Sequence, residues 1–160
     1  MKKAFILLIT IALFSAGCKK SDVSASVDSS WTLGTTSYKS AASLRVITSG
    51  GTPNTLINFY DVAPNGSNTA SINSAVFTFL NPPTTSGSYE LVGIGTALNA
   101  NNFQLAAGGP AGVYAYIGTG VKATVTITNG KAKIVVPEVM LKSTSSQPDI
   151  KFTASVQEVN

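Results

Sequence analysis

The chain runs to 160 residues with 11 Lys and Arg against 7 Asp and Glu, one cysteine and no histidine, for a formal charge of +4. The missing histidines and second cysteine exclude Ser-His-Asp and Cys-His nucleophile systems and almost every zinc site. The basic pI of about 9.3 does not indicate a nucleic-acid partner. From Asp28 onward seven bases (Lys39, Arg45, Lys122, Lys131, Lys133, Lys142, Lys151) face six acids (Asp28, Asp61, Glu90, Glu138, Asp149, Glu158), leaving +1 with no basic cluster.

In chain order, Met1-Lys2-Lys3 gives a short positive start, Ala4–Phe14 carries no charge, and Ser15-Ala16-Gly17 leads with small residues into Cys18. The apolar segment Ala4–Gly17 holds 14 residues, whereas a bilayer span needs about 20. Residues 1–17 therefore read as a secretory signal peptide. At Cys18 the segment resembles the lipobox of bacterial lipoproteins, with Ser15 in place of the usual Leu at its first position. The resemblance implies cleavage before Cys18, lipid attachment to it, and a membrane held through that lipid. Each buried methylene contributes ~0.8 kcal/mol, so two or more acyl chains make such an anchor stable. Residues 18–29 comprise this cysteine and a polar, Ser-rich tether, whose reach is about 18 Å root-mean-square.

From residue 30 to 160 the chain repeats short β-branched and aromatic runs between Gly, Pro, Asn and Ser. Strands are predicted near Trp31–Leu33, Leu44–Thr48, Thr55–Asp61, Ser71–Leu80, Ser88–Ile94, Val113–Ile117, Val121–Thr128, Lys131–Leu141 and Ile150–Val156. Their spacing predicts an all-β domain, an antiparallel β-sandwich of about 8–10 strands, with a small β-barrel as the alternative. The single helical candidate is a turn or two around Leu98–Ala107, weakened by its asparagines. Asn129-Gly130 suits a type I′ hairpin. Pairing Thr128 with Lys131 puts Ile127, Val125 and Ala123 on one face with Ala132, Ile134 and Val136. Pro137 then calls for a bulge or an edge. The last run alternates Ile150, Phe152, Ala154 and Val156 inward. Gly87-Ser-Tyr89-Glu-Leu-Val-Gly93 is echoed by Gly112-Val-Tyr114-Ala-Tyr-Ile-Gly118. Such an echo is either a duplicated binding element or two strands bounded by glycines.

Trp31-Thr-Leu, the Pro82-Pro-Thr-Thr-Ser-Gly87-Ser-Tyr89 approach to a strand, and the closing hairpin resemble small lipoproteins of the Bacteroidota. The resemblance implies a lipobox, a tether and a β-sandwich at the cell envelope, expected at the outer membrane, and implies no activity. Only Asp22 is acidic among the five positions after Cys18, so the periplasmic or outer facing of the domain is left open.

No catalytic motif, cofactor site or metal site emerges from the remaining residues. Tyr114 and Tyr116 share a strand face by period two, and Asn101 and Asn102 lie in an amide-rich loop. Aromatic faces and amides together suit sugar recognition, although the same tyrosines equally suit a core. The sequence therefore reads as a non-enzymatic, lipid-anchored recognition domain for a glycan or an envelope protein. A structural component of an envelope complex is the alternative. A carboxylate-dependent hydrolase is the second, and it requires two of the six acids to converge in one cleft.

Overall fold

A computed structural model of the chain describes residues 28–48, 54–68 and 71–159. The signal peptide, Cys18 and most of the tether lie outside the described residues. Among the described residues the elements are eleven strands: β1 (Ser30–Leu33), β2 (Thr36–Lys39), β3 (Ala42–Ile47), β4 (Thr55–Tyr60), β5 (Ser74–Phe79), β6 (Gly87–Leu91), β7 (Asn102–Gly109), β8 (Gly112–Ala115), β9 (Val121–Thr128), β10 (Lys131–Ser143) and β11 (Ile150–Gln157).

The all-β class holds, and the hydrogen bonding closes in the manner of the barrel alternative. β6, β7, β8, β10 and β9 form a ring in which each strand pairs with the next and β9 returns to β6. From β7 the sheet continues through β5, β4 and β3, and from β10 through β11, β1 and β2. Every pairing is antiparallel except β6 with β7. One continuous core fills the ring and extends beneath both wings. Its aromatic members touch in sequence, with Phe59, Phe77, Phe103, Phe79 and Tyr89 joined by centroid distances of 5.7, 6.0, 5.2 and 5.9 Å.

The hairpin forms in the predicted register, Thr128 opposite Lys131, Ile127 opposite Ala132 and Val125 opposite Ile134. Asn129 and Gly130 both take positive φ, 51° and 75°, as the type I′ turn demands. Pro137 lies in a bulge: Val136 faces Ala154 and Val139 faces Phe152, so β10 has one residue more than β11 across that step. A proline has no N–H to give a ladder, and the bulge removes the need for one. In β11, Phe152, Ala154 and Val156 are buried, as the alternation requires.

Two elements differ from the sequence reading. The helical candidate at Leu98–Ala107 is instead a turn leading into β7, with Phe103, Leu105 and Ala107 buried at period two. Pairing on both edges outweighs whatever local helical preference these residues have. β2 has no apolar alternation to announce it, since its residues are polar apart from Tyr38. It is held by pairing with β1 and by Tyr38 stacking on Trp31, centroids 5.5 Å apart.

The glycine-bounded echo coincides with β6 and β8, the two strands that lie along β7 on the same side, one toward each end. The segments meet where they end: the Ile94 N–H donates to the Tyr116 carbonyl at 2.9 Å. A Cβ on Gly93 would lie 2.8 Å from the Ile117 backbone. Glycine is needed there for close backbone approach.

Candidate functional site

The four residues selected from the sequence as a binding patch do not converge. Tyr114 and Tyr116 do face the same way, but they face inward: each is 6% exposed and belongs to the core. β8 bridges β7 and β10, so its inner face is covered, and the expected aromatic platform is packing. The Tyr116 hydroxyl donates to the Thr119 carbonyl, and the residue borders a hollow shared with Ile117, Val139 and Met140. Burial raises the Tyr116 phenol above its ordinary value of 10.0, helped by the negative charge of Glu90.

Asn102 is also buried. Its Oδ1 accepts the Asn99 N–H at 2.8 Å and its Nδ2 donates to the Ala97 carbonyl at 3.3 Å. These bonds close the loop that carries the chain back after β6 and lays β7 beside it in the same direction, with Glu90 opposite Asn102. Gln104 has a related task, its Nε2 donating to the Thr96 carbonyl at 2.8 Å. Of the four, only Asn101 is exposed and borders a polar cleft.

That cleft, about 330 Å³, opens between the loop after β5 and the loop before β7. Phe79 and Tyr89 form its floor; Asn81, Pro82, Pro83, Thr84 and Thr85 form one wall, and Asn99, Ala100 and Asn101 the other. The walls meet because Phe79, the last residue of β5, pairs with Phe103, near the start of β7. The 81–85 wall is pinned at its end: the Tyr89 hydroxyl donates to the Thr85 carbonyl at 2.9 Å, and Ser86 Oγ accepts the Ile127 N–H at 2.8 Å. Within the opposite wall Asn99 Oδ1 accepts the Asn101 N–H at 2.8 Å. Pro82-Pro83-Thr84-Thr85 reads in the sequence as an approach to a strand, and its role as a wall is a finding of the structure. The local signal, a rigid di-proline flanked by an amide and hydroxyls, was present; its juxtaposition with residues 99–101 follows from the β5–β7 pairing.

Among the described residues no charged side chain lines the cleft. Five of the six acids are engaged elsewhere, each with a different partner: Glu158 with Arg45, Glu90 with Lys122 at 3.2 Å, Asp149 with Lys142 at 2.8 Å, Glu138 with Lys151 at 2.8 Å, and Asp61 with Asn73 at 2.7 Å. The Lys122 ammonium and the Gly120 N–H hold the Glu90 carboxyl below its ordinary value. Among the described residues no three of His, Cys, Asp and Glu gather as metal ligands would. The cleft offers amides, hydroxyls and an aromatic floor, a chemistry suited to hydrogen-bonding an uncharged polar ligand.

Compared with known protein-family models, curated proteins and solved structures, the chain matches none.

Proposed function

We propose that the protein is a lipid-anchored, non-enzymatic component of the cell envelope, at the outer membrane, whose β domain recognises a ligand there. The signal-like start, Cys18 and the resemblance to small Bacteroidota lipoproteins support the anchor. The observation that carries the recognition reading is the cleft of about 330 Å³ with pinned walls and, among the described residues, no charged lining. Its size falls at the small end of ligand sites.

The test has two arms. Cells given labelled palmitate should incorporate it into the wild type and not into Cys18→Ser, which should leave the membrane fraction. The purified full-length protein should bind isolated envelopes saturably, and Asn81→Ala/Asn101→Ala should weaken that binding. Binding indifferent to the cleft variant would sink the recognition reading.

A second reading, membership of an envelope complex, draws on the outer face of the β3–β4–β5–β7 wing. There Leu44, Asn58, Val76 and Ala106 form one cross-strand row, and Val46, Leu56, Thr78 and Gln104 the next, with no charge in either. Leu44 is 51% exposed, and uncharged apolar faces of this kind suit a protein partner. A stoichiometric partner surviving mild detergent extraction, lost with Leu44→Asp/Val46→Asp, would favour this reading.

A further inference from the structure

We propose that the cleft between residues 81–85 and 99–101 takes a neutral sugar unit of a glycan, an assignment that rests on the recognition reading above. The fold uses some of the hydrogen-bonding groups around the cleft and leaves others over. Loop closure consumes Asn99 Oδ1, both ends of the Asn102 amide, the Tyr89 hydroxyl and the Thr85 carbonyl. The side-chain amides of Asn81 and Asn101, the Asn99 Nδ2 and the Thr84 hydroxyl have no bonding partner among the described residues, and all four residues line the cleft. Each amide group both donates and accepts, and each hydroxyl does the same.

A sugar ring presents a matching mixture, hydroxyls that donate and accept around its rim and C–H groups on its faces. Phe79 and Tyr89 supply the apolar floor for the latter, held in place by the T-shaped contact between their rings at 5.9 Å. Pro82 and Pro83 stiffen one wall, because proline fixes its own φ, and the Asn99–Asn101 and Asn102 bonds stiffen the other. A site whose loops are already ordered loses less entropy when it binds. Because no charged side chain among the described residues lines the cleft, it has nothing to offset the desolvation of a carboxylate or an amine. A phosphorylated or acidic sugar, or a charged peptide end, therefore fits less well than a neutral glycan.

The test uses the full-length protein in mild detergent on an array of neutral and acidic glycans, with affinities then measured calorimetrically for the best neutral ligand. Wild type, Asn81→Ala/Asn101→Ala and the remote Tyr116→Phe are compared, with melting temperatures checked for each. Wild type should bind neutral glycans selectively, with binding weakened by about tenfold or more in the double variant and unchanged in Tyr116→Phe. Neutral-glycan binding that survives the double variant in full would overturn the site. A folded wild type that binds isolated envelopes through the cleft but no neutral glycan would overturn the sugar assignment and leave the recognition reading standing. Failure to bind either would overturn both.

Discussion

Thr55 is fully buried at the start of β4, and its hydroxyl has no hydrogen-bond partner among the described residues. A buried polar group left unpaired carries its desolvation cost without return. Valine has nearly the same shape and the same β-branch, so Thr55→Val should stabilise the domain by about 1 kcal/mol, measured as a higher urea midpoint at unchanged slope. A loss of stability instead would mean that the hydroxyl is satisfied by a buried water. Tyr116 offers a second residue-scale expectation. Burial raises its phenol above 10.0 in the folded chain, so the unfolded phenol ionises first as pH rises. Its contribution is intact below pH 10.0 and is lost as pH climbs through the folded value. Urea midpoints followed from about pH 9 to 11 should fall more steeply in wild type than in Tyr116→Phe; parallel falls would contradict the assignment.

Gly130, at φ 75° with open space where a Cβ would stand, separates conformational cost from crowding within the β9–β10 hairpin. Gly130→Ala should destabilise by about 1 kcal/mol through backbone strain alone, and a chemical-denaturation series with the Asn129→Gly control would measure it. This hairpin also shows why part of the fold was legible in the sequence. A two-residue turn fixes register locally, and one wetted face leaves an alternating pattern to read, as in Lys131–Val136 and again in β11. β7 was illegible for the opposite reason. It is paired on both edges, and its segment Gln104-Leu-Ala-Ala107 resembles a helix former as closely as a strand. Tyr114 and Tyr116 mark the same limit in the candidate site: period two correctly put them on one face, but ring closure decided that this face was the inner one. Asn101 was legible as an amide of a polar loop, whereas Asn81 on the opposing wall becomes its neighbour only through the β5–β7 pairing.

On the scale of the molecule, the ring closes the sheet on one side, and a side-chain clasp ties the far wing to the end of β11. Arg45 on β3 donates to both carboxylate oxygens of Glu158 and, at 3.1 Å, to the Gly130 carbonyl. Glu158 in turn accepts the Ala132 N–H at 2.7 Å, and Ser43 Oγ accepts the Val159 N–H at 2.9 Å. The Glu158 side chain is 7% exposed and that of Arg45 25%, so the pair is only partly desolvated. Glu158→Gln should cost about 2–3 kcal/mol, below the usual loss for breaking a fully buried pair because water still reaches the guanidinium. In a double-mutant cycle, Arg45→Met should cost far less in the Glu158→Gln background than in wild type. β11 carries this carboxylate and also lies between β1 and β10, with partners on both edges. Truncation before Ile150 therefore removes a central strand, exposes Trp31 and Val136 together, and releases β3 from its clasp. Limited proteolysis of the truncated chain should show cleavage spread across the whole domain. Cuts confined to β1 and β2 would mean that the ring and the β3–β4–β5 wing fold without β11, and that the clasp reports on that wing without holding it.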